Sequence, residues 1–406
     1  MRRIVLLPVL VLAAVVLAIW LRTDRVSKWT TQEIANPAAP GSQAPNLSTA
    51  PDGSFILTWI EPSGPEMAMR FAFWRNGNWA NPSTVIRSSD LQPDSAAPPA
   101  VVKLNNGTLV AVWSQEVKNP GKDEGNFLFA SVSTDGAENW SVPVRIHSDT
   151  GISEHSYESI APTAADQATI IWLDSRDWEA NHTYRLMSVT VNSQGVLGTE
   201  KTVDSDTCTC CPTTFASTPR LSLAAYRGHN PQQIRDMKIV RLNNGNWSAP
   251  VTVHNDQWKI NACPVNGPAL AINGSRAAVL WFTGANDTPE VKIAMSDDLG
   301  ANFDPAITLD SPNDGSRPIG HVAVSLLVDG SALAVWLRHL DSGNEIVGER
   351  VSSKGHVSHR FKISEGTDSD LGYPRLQLSG NTALVSWSDK TTREIKTAIV
   401  HTGNTE

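Results

Sequence analysis

The sequence predicts an all-β chain folded as a closed ring of sheets, a β-propeller. Three observations carry that prediction. A short apolar strand ending in an aromatic residue recurs seven times, about every 50 residues. Each copy is followed by a polar loop, another strand and a tight turn. A segment near the N-terminus resembles the fourth strand of the unit but precedes the first full copy. With 406 residues, 40% of them hydrophobic, the chain can fill the core such a ring needs.

The recurring strands are Phe55-Ile56-Leu57-Thr58-Trp59, Leu109-Val110-Ala111-Val112-Trp113, Thr169-Ile170-Ile171-Trp172, Leu221 to Tyr226, Ala278-Val279-Leu280-Trp281, Leu333-Ala334-Val335-Trp336 and Ala383 to Trp387. Their near-continuous apolar character suits strands buried on both faces, between neighbouring blades. The fourth strands recur as Asn78-Trp79-Ala80-Asn81-Pro82 and Asn246-Trp247-Ser248-Ala249-Pro250. Lys28 to Ile34 is similar to them, and the last repeat, about 373 to 404, has room for only three strands. The N-terminal strand is therefore expected to complete the final blade, leaving no sheet edge in the ring. The count is seven four-stranded blades, or six if one segment is misassigned. The propeller domain is expected over 28–406.

Residues 1–27 read as a membrane anchor or signal segment. An uncharged run from Ile4 to Leu21 follows Arg2 and Arg3. As a helix it would rise about 27 Å, close to the roughly 30 Å hydrocarbon core. No Ala-x-Ala-like cleavage site follows Trp20, which favours an uncleaved transmembrane helix over a cleaved signal peptide. The expectation is a single pass in the inner membrane with the propeller in the periplasm, or a secreted protein if the leader is removed. The formal net charge of −8 argues against nucleic acid as a partner.

The turns between third and fourth strands carry a family resemblance. Ser296-Asp297-Asp298-Leu299-Gly300-Ala301-Asn302-Phe303 looks like an Asp box, Ser-x-Asp-x-Gly-x-x-aromatic. Ser133-Thr134-Asp135-Gly136-Ala137-Glu138-Asn139-Trp140 is a second, with Ala at the usual Gly position. In such a turn the Asp accepts backbone N–H groups, the Gly permits the turn and the aromatic ring plugs the blade. The chain thus resembles the sialidase-like (BNR repeat) propellers over about 30–404. The boxes, with Ser133, Asp135, Trp140, Ser296, Asp298, Gly300 and Phe303, are expected to be structural and to lie away from the functional face.

In a propeller, the loops leading into each first strand share a face with the loops joining second to third strands. Function on loops held by a rigid scaffold is the ordinary arrangement. The ligand-binding candidates collected there are Asp174, Arg176, Arg227, His229, Arg235, Asp236 and Lys259, with His155, Tyr157, Trp178, His321 and Arg375 on the same face. All four cysteines fall there too: Cys208, Cys210 and Cys211 in one loop, Cys263 in what reads as the equivalent loop of the next repeat. In an exported chain they read first as disulfides, with Cys263 stapling adjacent blades. Closely spaced thiolates also suit a soft metal, copper(I) or zinc, with His229 able to join. A redox role is the third alternative, since nearby Arg227 and Lys259 would lower a thiol pKa.

The sialidase resemblance implies an enzyme. Its members clamp a carboxylate with three arginines, use a Tyr with a Glu partner as nucleophile and an Asp as acid/base. Tyr373 stands roughly where the family's Tyr falls. Arg176, Arg227, Arg235 and Arg317 would supply the clamp, and Asp177 is the acid/base candidate. The early Arg-Ile-Pro segment of the sialidases is absent, and seven blades depart from their usual six. The sequence reading is therefore a propeller that binds a glycan, peptide or envelope protein on its cysteine-bearing face, with copper or zinc as the metal candidates. An exo-acting glycoside hydrolase of sialidase type is the alternative.

Overall fold

The computed structural model describes residues 29–117, 125–313, 315–366 and 371–401. The expected anchor, residues 1–27, lies outside them. Among the described residues no helix is long and apolar enough to cross a membrane.

Seven antiparallel sheets follow one another along the chain. Their inner strands are Gln43–Thr49, Ala100–Lys103, His155–Ala164, Thr214–Ser217, Ala269–Asn273, Ser316–Leu326 and Arg375–Ser379. In blades 1 and 4 the outer strand is split in two, Asn78–Trp79 with Ser83–Ser88 and Asn246–Trp247 with Val251–Thr252, each piece pairing with the third strand. The seventh sheet takes its outer strand from the other end of the chain. Thr30–Ile34 pairs with Glu394–His401, with Thr30 opposite His401 and Ile34 opposite Thr397.

The recurring apolar strands are the second strands, and their side chains alternate between two interfaces. In blade 2, Leu109, Ala111 and Trp113 pack towards blade 1, while Val110 and Val112 pack towards blade 3. The main hydrophobic clusters each join one neighbouring pair of blades, and blade 1 meets blade 7 through Leu57, Trp59, Leu384 and Ile399. This is why the strands read as continuous apolar runs rather than as half-buried alternation.

The aromatic residue ending each second strand is buried, and in most blades a carboxylate anchors it. Trp59 donates its indole N–H to Glu61 (2.7 Å), Trp172 to Asp174 (3.0 Å), Trp281 to Asp256 (2.6 Å) and Trp336 to Asp310 (2.8 Å). Blade 4 substitutes Tyr226, whose hydroxyl reaches Asp204 at 2.5 Å. A cation completes each of these sites: Arg70 on Glu61, Arg176 on Asp174, Lys292 on Asp256, Arg338 on Asp310, Lys238 on Asp204. Each ring buries apolar area worth roughly 4–6 kcal/mol, while the carboxylate satisfies its polar tip.

Both Asp boxes form as expected. Ser296 donates to Asp298 (2.8 Å), and Asp298 accepts the N–H groups of Ala301 and Asn302. Asp135 accepts the N–H of Asn139 in the same way. Hydrogen bonds from the Asn302 and Asn139 groups hold both carboxylates near pKa 2. Trp140 packs edge-on against Phe71 and Phe303 against the blade 4–5 core. Ala137, where the box usually has Gly, keeps the turn at φ +78°.

Candidate functional site

The inner strands of all seven blades line a cavity of about 400 Å³ on the ring axis. The loops leading into these strands form one mouth of it. Their backbone is unusual: Ala44 and Tyr157 near the start of their inner strands, Val265 in the loop before one and His321 at an irregularity within another all have positive φ. For a β-branched or aromatic residue that costs about 1–3 kcal/mol and is held only by its surroundings. Such strain concentrates where a scaffold aims side chains at a ligand.

Glu158, next to Tyr157, is the most unusual group at the mouth. It is 8% exposed, lines the cavity, and neither carboxylate oxygen has a hydrogen-bond partner among the described residues. Burial pushes its pKa up to about 8, against the pull of its own backbone N–H and with a smaller push from the nearby Asp94 charge. Burial thus favours the protonated form of this carboxyl. Asp94 is exposed on the rim and caps its own turn through the Ala96 N–H at 2.7 Å.

Across the mouth, Arg375 donates to the Ser95 carbonyl (2.6 Å) and leaves its buried Nε without a partner. Burial lowers its pKa to about 10. Its guanidinium lies 5.7 Å from the centroid of Tyr373, whose ring lies 3.8 Å from His321. Burial lowers the His321 pKa to about 4, so this imidazole is neutral. The Tyr373 hydroxyl donates to the Val265 carbonyl at 2.8 Å, and burial raises its pKa. Tyr373 therefore stands at the mouth as the sequence suggests, but as a neutral ring hydrogen-bonded to backbone.

The three cysteines of the blade 4 loop converge. All are buried, and their sulphurs lie within 4.8 Å of one another, with Cys208 and Cys211 at 3.5 Å. Hydrogen bonding with Cys210 and Cys211, with a smaller contribution from the Arg227 charge, lowers the Cys208 pKa. Burial pushes Cys211 up to about 12, and the hydrogen bond to Cys208 raises Cys210. These buried side chains could hold a metal ion.

The two Cys-Pro loops do meet. The Nη1 of Arg235 lies 3.3 Å from the Cys208 sulphur and donates to the Ala262 carbonyl at 3.2 Å. A Cβ on Gly267 would stand 2.0 Å from the Pro212 carbonyl oxygen. The expected disulfide is not formed, however. All four cysteines are free, and Cys263 is exposed and outside the buried group. The staple between blades 4 and 5 is Arg227 instead. It donates to the carbonyls of Asn266, Phe282 and Arg235 and stacks 4.6 Å from Trp258.

The remaining candidates are placed as follows. Asp174 and Arg176 form the buried blade 3 anchor on Trp172, and Arg176 also pairs with Glu200. Asp177 pairs with Arg185. His229 bonds Asp206 at 2.6 Å and is not among the groups around the thiols. Asp236 accepts the N–H groups of Gln257 and Trp258. Lys259 and Arg317 are exposed. Arg176, Arg227 and Arg235 are thus each engaged with separate protein partners, and with Arg317 they do not converge on one carboxylate site. Sequence reasoning missed Glu158, Asp94 and Asn266. Asn266 ties blades 5 and 6, taking the His321 N–H on its side-chain oxygen and donating to the Ile319 carbonyl. The available signal for Glu158 was a lone acid at the start of an alternating inner strand.

The sequence matches no protein-family model and no curated protein. Solved structures do match its shape. An α-L-arabinofuranosidase, Arb93A from Fusarium graminearum, solved with an iminosugar inhibitor, superposes over 92% of this chain and 98% of its own, at TM-score 0.50 and 12% identity. A protein of unknown function from Dyadobacter fermentans covers 91% and 99%, at TM-score 0.50 and 14% identity. The likeness is one of fold, a β-propeller with the same seven-sheet architecture. The NanB sialidase of Streptococcus pneumoniae is a more distant match, at TM-score 0.47 and 10% identity over 91% of this chain. In this propeller the axial cavity is lined by Glu158 and by His321, one of the residues with positive φ.

Proposed function

We propose that this chain is an exo-acting glycoside hydrolase that takes an uncharged terminal sugar at the channel mouth. The observation that carries the proposal is Glu158: a buried carboxyl without a side-chain partner on a residue lining the axial recess, with its pKa raised by burial. Glycoside hydrolysis needs one carboxyl kept protonated to donate to the leaving oxygen, and a second carboxylate. Glu158 supplies the acid and Asp94, on the rim, the second group. The recess volume falls in the roughly 300–1,000 Å³ range of small-molecule sites. A recess on the ring axis admits a chain end, whereas the middle of a polymer needs a cleft. Arg176, Arg227 and Arg235 are each engaged elsewhere, which leaves Arg375 as the arginine lining the recess rather than a three-arginine clamp, and a single guanidinium suits an uncharged sugar better than a carboxylated one. The Fusarium arabinofuranosidase of like fold, solved with an iminosugar, is consistent with a neutral sugar. The anchored, periplasmic location read from residues 1–27 is part of the same proposal.

The experiment is a panel of aryl glycosides that includes an α-L-arabinofuranoside and a sialoside. The proposal expects release from a neutral glycoside, its loss in Glu158→Gln, and none from the sialoside. It is overturned if the parent protein hydrolyses none of the panel, or if Glu158→Gln retains full activity.

A further inference from the structure

We propose that Cys208, Cys210 and Cys211 form a trigonal thiolate site for a single copper(I) ion. This site is separate from the carboxyl at the mouth and does not depend on it.

Three features support it. The sulphurs lie within 4.8 Å of one another, with the Cys208–Cys211 pair at 3.5 Å. Around one ion with metal–sulphur bonds of about 2.3 Å, sulphurs sit roughly 4 Å apart, so small side-chain adjustments suffice. All three are buried, which favours a soft ion bound by polarizable thiolates over a hydrated hard cation. Positive charge also stands where a thiolate cluster needs it. The guanidinium of Arg235 touches the Cys208 sulphur at 3.3 Å.

The ligand count selects the metal. Structural zinc takes four protein ligands. Among the described residues, no histidine, carboxylate or fourth cysteine joins the three sulphurs. His229 is directed to Asp206 and Cys263 is exposed. Three sulphurs in a dry pocket match three-coordinate copper(I). Binding forms three copper–sulphur bonds and releases the remaining thiol protons to solvent. No electron is transferred, so the ion must arrive already reduced.

The test uses the full-length protein, reduced and metal-free under anaerobic conditions. It is titrated with copper(I) against bicinchoninate and, separately, with zinc. The proposal expects one copper per chain, an all-sulphur first shell by X-ray absorption, and zinc binding at least tenfold weaker. Cys208→Ser and Cys211→Ser should each lower copper affinity at least 100-fold, Cys210→Ser less, and Cys263→Ser not at all. Near-UV circular dichroism of each variant establishes that it is folded. The proposal fails if the reduced parent yields its copper to bicinchoninate completely. It also fails if zinc binds as tightly, or if Cys263→Ser lowers affinity as much as Cys208→Ser does.

Discussion

Replacing Glu158 by Gln should make the protein more stable as pH rises, by an amount the burial of this side chain sets. In the fold its pKa is about 8, against an ordinary 4.5. Between those values the folded chain keeps a proton that the unfolded chain has released. Stability therefore falls as pH rises through this window, and the full cost is present above pH 8. At about 1.36 kcal/mol per pH unit, the upper limit is roughly 5 kcal/mol. Gln is neutral throughout and of nearly the same shape, so it does not incur this cost. The difference between variant and parent should be near zero at pH 4.5, positive at pH 7 and largest at pH 9. Urea unfolding midpoints at the three pH values measure it, and taking the difference removes the titration of all other groups. A difference that is flat in pH, or that favours the parent at pH 9, would show that Glu158 is ionised and solvated, and the acid role assigned to it would fall with that.

Other substitutions test the scaffold around the site. Ala137→Gly should stabilise the second Asp box by about 1 kcal/mol in thermal unfolding, because φ +78° strains any residue with a Cβ. Arg227→Ala leaves several buried carbonyls without a donor and should cost about 3–5 kcal/mol in chemical denaturation, with blades 4 and 5 gaining amide exchange first. Gly267→Ala drives a methyl group into the Pro212 carbonyl and should destabilise by about 2 kcal/mol or more, also raising the reactivity of the buried thiols to a maleimide probe.

How much of this could be read from the chain depends on the range of the interaction. The blade pattern is local. Each second strand alternates Leu109-Val110-Ala111 fashion between two apolar interfaces, and each Asp box closes within eight residues. The fates of the charged side chains depended on partners, some near and some far in sequence, that residue type does not announce. Asp174 looks like a loop carboxylate, yet Trp172 two residues earlier claims it, and Arg176 follows it into the sheet. Arg227 reads as a binding arginine until the carbonyls of Asn266 and Phe282 close on it from 39 and 55 residues away. Glu158 was overlooked for the opposite reason: nothing in the sequence says that an acid beside Tyr157 will have no partner. The cysteine triplet was legible as a cluster because it is contiguous. The place of Cys263 outside it depends on how the next loop turns.

The pairing of Thr30–Ile34 with Glu394–His401 has a kinetic corollary. The earliest-made β-segment cannot find its partner until the final hairpin exists, so the ring stays unlatched through nearly all of synthesis, with the apolar seam between the first and seventh blades uncovered. Deleting 30–34 should leave that hairpin with a raw backbone margin through which chains latch onto one another.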